Sequence, residues 1–310
     1  MRAVILGLGI GQVYKEQLLE RNWEVVTVDP DPNKNATHST IQEIPIQKYD
    51  LGIVALPNGL HYSMADQLAK FCKVVMIEKP GIKTVSEFEK LKKSNPNTMF
   101  FIAKNNLFRE NLSHYYGIID QFIARDGIES VEFRWENENR IPFPGSWFTC
   151  KKRAWGGVHR DLMPHLINEL QLLLFILGLE GIPGRAEKSM ARRYSLEQAQ
   201  ASGTEYGACY EGEDAIYDVD DRAKLWFNYR DVVFSCVADW KTDKPSFVGI
   251  ETKFKDGSNL IFDLGLCPNY AYGIMIDNMM EAVEEPRIRD WHEKIDLELI
   301  KTLDSFAEIK

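Results

Sequence analysis

The sequence predicts an α/β domain followed by an α+β domain. The first is a parallel, doubly wound sheet over residues 1–106, and the second a largely antiparallel sheet, covered by helices on one face, over 107–310. Three observations predict this. Short unbroken apolar runs alternate with helix-length segments in the first part, as buried parallel strands and their crossovers require. From residue 223 the runs come in pairs split by Asn, Asp and Gly, which marks hairpins. The 310 residues, 45% hydrophobic and 27% charged, suffice for two domains at roughly 100–200 residues each.

Taken in order, Ala3–Leu6, Glu24–Val28, Leu51–Ala55, Val74–Ile77 and Met99–Ile102 read as strands, with helices near 12–20, 60–70 and 84–93, and the sheet ends near Lys104. Leu166–Leu177 is an apolar helix lying against the second sheet. Ala223–Phe227 and Val232–Ala238 make one hairpin, and Ile250–Phe254 and Asn259–Phe262 another around Asp256-Gly257. Ala186–Asp214, polar and rich in Ala, Gly and Gln, reads as a long loop.

Charge and composition narrow the function. With 37 basic against 46 acidic residues the net charge is −9, and no basic stripe offers phosphate contacts, so no nucleic-acid partner is expected. Cys72, Cys150, Cys209, Cys236 and Cys267 are scattered without a CxxC pair, which reads as free thiols in a reducing compartment and no metal site. No apolar run reaches the ~18 residues of a membrane span. Met1-Arg2 leads straight into a strand rather than a signal peptide, so a soluble cytoplasmic protein is expected, with no membrane partner.

Several residue groups could carry chemistry. Gly7-Leu8-Gly9-Ile10-Gly11 follows the first strand and opens a helix, where a pyrophosphate can approach the backbone and the helix's free N–H groups. Asp29 ends the second strand, where a carboxylate accepts from an adenosine ribose. The alternative is a tight turn that binds nothing. Either Gly11 or Gln12 fills the third glycine position of the fingerprint. Asp29-Pro30-Asp31 would repel a 2′-phosphate, with no basic residue before Lys34, so NAD is expected over NADP. Pro57-Asn58-Gly59-Leu60-His61 and Glu78-Lys79-Pro80-Gly81 sit at strand C-terminal ends, where such sheets bind ligands. Lys79 is either an ammonium at the sheet's rim or half of a solvated charge pair. Asp161 and His165 are four apart behind Gly156-Gly157, so on a helix they share a face. They are either an acid/base pair or a capping Asp beside a partly buried His, and Pro164 confines the helix to start there or kink.

Together these motifs, from Met1 to about Leu177, resemble the Gfo/Idh/MocA oxidoreductases (glucose–fructose oxidoreductase, inositol dehydrogenase and relatives). The resemblance implies an N-terminal Rossmann dinucleotide-binding domain, and NAD(P)-dependent hydride transfer with a sugar, cyclitol or nucleotide sugar. It implies that His165 is the acid/base, that Lys79 polarises the reacting oxygen and that Asp161 orients the histidine or the substrate. The Lys79–Pro80 bond is often cis in that family. Gly7, Gly9, Ile10, Gly11, Asp29, Pro57, Asn58, His61, Glu78 and Lys79 would line the cofactor. Two departures stand out: the arginine of an Asn-x-Arg-Phe element is absent from Asn105-Asn106-Leu107-Phe108, and Asn168 replaces a common aspartate.

Arg153, Trp155, His159 and Arg160 before the Asp161 segment, and Tyr270 and Tyr272 opposite it, are candidate contacts for a sugar-like substrate, since aromatic faces and Arg or His donors suit a sugar ring. Retention of Lys79, Asp161 and His165 together favours an enzyme over a dinucleotide-binding sensor of the same fold. An NAD-dependent glycosidase, an activity known in the family, is a further alternative. The outer face of a hairpin sheet needs cover that one domain's helices cannot supply, so a homodimer or homotetramer is expected.

Overall fold

The computed structural model describes residues 1–110, 115, 117–120, 127–202, 204 and 215–306. Two compact units emerge, and the chain passes between them three times: Met1–Phe108 with Pro268–Lys301, and Arg109–Cys267 with the chain from Thr302.

The first unit is built on five parallel strands: β1 (Arg2–Leu6), β2 (Glu24–Val28), β3 (Tyr49–Val54), β4 (Cys72–Ile77) and β5 (Met99–Ile102), in the order β2-β1-β3-β4-β5. Ala3, Val4, Ile5, Ile53, Val54 and Val74 through Ile77 are all buried, so both faces of the central strands are covered and the apolar runs are unbroken. Helices α1 (Gly11–Glu20), α2 (His61–Leu68) and α3 (Val85–Ser94) make the crossovers. Strand order reverses between β1 and β3, which opens a crevice at their C-terminal ends.

Two helices from the far end of the sequence complete this unit. Met275, Ile276 and Met279 of one join a core with Tyr14, Leu18, Trp23, Ile53 and Met76. The helix approaches α1 so closely that a Cβ on Gly273 would lie 2.3 Å from Arg21 Nη1, and Arg21 Nε pairs with Asp277 at 2.9 Å. A single break after residue 106 therefore differs from the structure. Periodicity finds such a helix but carries no information on which sheet it covers.

The second unit holds β6 (Ile128–Glu136), α4 (Lys151–Ala154), α5 (Val158–Asp161), α6 (Met163–Ile176), β7 (Glu187–Ala191), α7 (Leu196–Ala201), β8 (Arg222–Tyr229), β9 (Val232–Asp239), β10 (Phe247–Phe254) and β11 (Asn259–Asp263). The sheet order is β11-β10-β6-β9-β8-β7, antiparallel except for the β6–β9 pair. Val131, Phe133 and Trp135 of β6 turn inward, and the apolar helix α6 packs against β6 and β9. The alternate residues Glu132, Arg134 and Glu136 form the other face, where Arg134 pairs with Glu251 at 3.3 Å and lies over the Phe247 ring. The helices Tyr270–Glu281 and Pro286–Ser305 are α8 and α9.

Part of the expected loop 186–214 is ordered differently. Strand β7 pairs along β8, and α7 begins with Ser195 and Gln198 capping each other's backbone N–H groups. An edge strand exposes every second residue, so its polar composition reads as loop. Residues 203 and 205–214 of that segment lie outside the described residues, as does Cys209.

Candidate active site

The glycine segment forms a cradle. Gly7 has φ +87°, and a Cβ there would sit 2.3 Å from the Ala55 carbonyl oxygen, so only glycine fits. A Cβ on Gly9 would meet nothing within 4 Å, while one on Gly11 would press Ile5 Cγ2 at 3.1 Å. Gly11 is thus the close-packing glycine between α1 and β1, and the exposed Gln12 pairs with Glu16 at 3.0 Å. Helix α1 starts with Ile10 as its N-cap, with no side-chain cap and no acidic residue in its first turn. Uncapped N–H groups at a positive helix end, behind an open glycine backbone, are what an anionic diphosphate requires. The residues present therefore fit a dinucleotide.

Asp29 closes the cradle. Its Oδ2 accepts from Leu8 N–H at 2.7 Å and its Oδ1 from Asp31 N–H at 2.9 Å. Each oxygen retains a second lone pair for a ribose hydroxyl. Asp31 accepts from Asn33 N–H at 2.9 Å, so two carboxylates stand in this loop, and Lys34 is exposed.

Beyond β4, the Lys79–Pro80 bond is cis and Gly81 takes φ +85° against Ile102. Glu78 is buried: Tyr14 Oη–H of α1 donates to its Oε1, and Lys79 N–H donates to its Oε2 at 3.0 Å. Burial pushes the Glu78 carboxyl up, opposed by Tyr14 and by the Lys79 charge. Lys79 is half-buried. Asn58 and His61, which the resemblance sets along the cofactor with Pro57, are buried as well, His61 completely. Its two ring nitrogens lie 2.7 Å from Gly81 O and 2.8 Å from Leu56 O.

Asp161 and His165 belong to the second unit. Asp161 ends α5, Leu162 keeps helical angles, and His165 lies in the first turn of α6, where Pro164 needs no N–H partner. Asp161 Oδ2 accepts from the indole N–H of the buried Trp240 at 2.9 Å, and the His165 ring packs 5.1 Å from that of Trp135. Asn105-Asn106-Leu107-Phe108 forms a short turn, and Arg109 after it spends its guanidinium on the carbonyls of Leu264 and Gly265.

Asp220, which sequence reasoning missed, fixes this segment. It accepts from Gly157 N–H at 2.8 Å, His159 N–H at 2.9 Å and His159 Nδ1 at 2.6 Å. Burial pushes its carboxyl up, but the His159 ring and the N–H donors outweigh that and hold it below the usual range. The double glycine makes this approach possible: a Cβ on Gly156 would lie 1.9 Å from His159 Cε1, and one on Gly157 would lie 1.8 Å from Asp220 O. The only sequence signal is the acidic run Asp218–Asp221 before β8. Glu169, also missed, is buried one turn after His165 and accepts from Tyr115 Oη–H. Burial raises its carboxyl to about 7, opposed by that hydrogen bond and by Arg109. Asn168 Oδ1 is buried without a partner among the described residues.

Of the candidate substrate contacts, His159 and Arg160 are buried, while Arg153 and Trp155 are half-buried. Trp155 has φ +66°, an unusual conformation for a bulky residue and one that gathers at functional sites. Tyr270 and Tyr272 begin α8 in the first unit, where the Tyr272 ring meets Tyr14 edge-on at 5.1 Å, so they stand with the glycine cradle rather than in the Asp161 unit. Among the described residues, no cluster of three or more His, Cys, Asp or Glu could hold a metal, and no helix is long and apolar enough to cross a membrane.

Residues 1–98 match the family model for the GFO/IDH/MocA oxidoreductases, described by an NAD-binding Rossmann fold. A protein of Amycolatopsis mediterranei (strain S699), named as an oxidoreductase subunit of UDP-kanosamine synthase, is 29% identical over 189 residues. That match covers 56% of this chain and 52% of the relative, so the chain spans about half the length of the curated relative it matches. Among solved structures, GenD2 from gentamicin A biosynthesis, in complex with NAD, has a TM-score of 0.76 at 18% identity over 99% of this chain and 94% of that one. Levoglucosan dehydrogenase with NADH and levoglucosan follows at 0.72, 15% identity, 99% and 96%. The WlbA dehydrogenase of Bordetella pertussis with NADH and UDP-GlcNAcA scores 0.69 at 16% identity, 99% and 95%. At these identities the structural likeness establishes the fold.

Proposed function

We propose that the chain belongs to the oxidoreductase family whose model, with its NAD-binding Rossmann fold, residues 1–98 match. On that premise we propose that the protein is an NAD-dependent dehydrogenase acting on a secondary alcohol, or the matching ketone, of a sugar, cyclitol or nucleotide-sugar substrate. The observation that carries the reading is the cradle: an uncapped α1 N-terminus behind Gly7 and Gly9, with Asp29 anchored to it through Leu8. The two carboxylates of Asp29 and Asp31 favour NAD over NADP.

Bound NAD supplies the hydride acceptor. His165 takes the alcohol proton, since an imidazole can do so near neutral pH. Lys79 stabilises the oxygen as its proton leaves. Asp161, itself oriented by Trp240, holds the histidine or a substrate hydroxyl. Sugar-like ligands accompany two of the similar structures, which supports that substrate class, and the half-buried Arg153 and Trp155 are the contacts most able to reach a sugar ring. Arg109–Cys267 form the substrate side in this reading.

The test is a screen of sugars, inositols and nucleotide sugars by the absorbance of reduced nicotinamide. One class should turn over with NAD, and NAD should bind more tightly than NADP. NAD binding without turnover of any class would instead favour a sensor, and equal NADP affinity would overturn the cofactor choice.

We further propose a cytoplasmic homodimer or homotetramer, formed through the sheet face carrying Glu132, Arg134, Trp226, Phe247 and Glu251. Cross-strand ion pairs and aromatic rings there leave Arg134 and Glu251 only 21% and 14% exposed. Light scattering at micromolar concentration should give a multiple of 35.7 kDa, and a monomer would contradict the proposal.

A further inference from the structure

We infer that His61 is a positioning residue for Lys79, holding the Lys79–Pro80–Gly81 turn against the end of β3 rather than touching the cofactor. The inference rests on the proposed role of Lys79. His61 opens α2 and is fully buried. One ring nitrogen lies 2.7 Å from the carbonyl oxygen of Gly81, two residues past Lys79. The other lies 2.8 Å from that of Leu56, in the segment that follows β3. Both carbonyls are acceptors and a neutral ring carries one N–H, so the ring donates to one of them, Gly81 O in this inference, while its other nitrogen faces Leu56 O, and neither nitrogen is turned to a ligand.

The rest of the turn explains why this contact matters. On the side before Lys79, Glu78 is fixed by Tyr14 of α1 and by the Lys79 N–H, and Gly81 N–H returns to Glu78 O at 2.9 Å. On the side after it, Gly81 packs on Ile102 of β5 and its carbonyl meets His61. Anchors from α1, α2 and β5 thus bracket Lys79 and hold the backbone from which its side chain rises. Burial holds the His61 imidazole below its usual range, with the Lys79 charge acting the same way and the two carbonyls opposing. A neutral ring donates one hydrogen, so an amide side chain of similar reach can replace it, whereas an apolar ring cannot.

The experiment compares His61→Gln, which keeps an N–H donor, with His61→Phe, which fills the volume without one. Using the substrate found in the screen, His61→Phe should lower kcat by about 10- to 100-fold with NAD affinity within about twofold, because small misplacements cost that much. His61→Gln should recover most of the loss. In a Lys79→Ala background, His61→Phe should cost about twofold or less, since residues acting as a unit are not additive. Wild-type kcat in His61→Phe, weakened NAD binding with kcat intact, or a full further loss on top of Lys79→Ala would each overturn the inference.

Two readouts do not depend on activity. With 13C-dimethylated lysines and Lys79 assigned through Lys79→Arg, the Lys79 resonance should move in His61→Phe and return in His61→Gln. If Lys79→Ala proves fully active, the proposed role of Lys79 fails, and the resonance alone decides whether His61 positions it. An unmoved resonance overturns the inference. Should His61→Phe not fold, the unmodified protein must show a slowly exchanging ring N–H at His61, and its absence would be equally decisive.

Discussion

His165→Ala and Lys79→Ala should each lower kcat by roughly 10²–10⁴-fold, the usual contribution of a positioned proton-transfer or charge-stabilising group, while NAD affinity changes little. Oxidising a secondary alcohol requires its proton to leave as the carbon is oxidised. His165 stands in the first turn of α6, and its ring is packed against Trp135, so the imidazole is held in one place before substrate arrives. Lys79 follows a buried strand and is bracketed by the Glu78 and Gly81 anchors, so the backbone that carries its side chain is held on both sides. Asp161→Asn should cost less than His165→Ala, because Trp240 N–H still finds an oxygen and only the charge is removed. Steady-state rates beside cofactor titrations decide the matter. Near-normal turnover in His165→Ala would remove it as the acid/base, and lost NAD binding in Lys79→Ala would make that lysine a cofactor ligand.

How far the sequence carries this reading depends on the range of the interactions involved. Strands β1, β3 and β4 lie within two residues of the apolar runs that mark them, because a strand covered on both faces leaves an unbroken run. The two hairpins are equally legible, since Asp256-Gly257 turns a chain locally whatever surrounds it. Gly7 announces itself for the same reason, as no other residue tolerates φ +87° so close to Ala55. What stays hidden is long-range. Asp220 caps the start of α5 from 61 residues away in sequence. Trp240 reaches Asp161 across 79. His61, read as a cofactor contact from its motif, turns inward to two backbone carbonyls that no spacing rule could single out. The return of α8 and α9 to the first unit is of the same kind, and it moves Tyr270 and Tyr272 away from the unit in which their sequence position suggests they lie.

Asp296→Ala should destabilise the first unit by about 3–5 kcal/mol, the usual cost of leaving a buried charge without its partner. Lys104, directly beyond β5, is fully buried. Its ammonium donates to Ile102 O at 2.8 Å and to His292 Nδ1 at 3.0 Å, and meets Asp296 Oδ1 at 2.8 Å. Asp296 Oδ2 in turn accepts from Ile102 N–H at 2.9 Å, so one carboxylate of α9 holds both the lysine and the end of the strand. Burial disfavours both charges, pushing the lysine down and the carboxyl up, and each is countered mainly by the other. His292 cannot replace Asp296. Burial and the Lys104 charge bring its pKa to about 2, so it is neutral, accepts from Lys104 at Nδ1 and donates from Nε2 to Asn278 Oδ1 at 2.9 Å. Removing Asp296 therefore strands an ammonium that has lost its only anion within bonding distance among the described residues. A melting curve should show a fall on the order of 10 °C. The double variant Lys104→Met with Asp296→Leu removes both charges and should recover most of the loss, because the pair mainly offsets its own desolvation. A midpoint for Asp296→Ala within about 2 °C of wild type would mean that Lys104 is not charged in the folded protein, and that apolar packing of Met275 and Met279, rather than the ion pair, holds the C-terminal helices to the sheet.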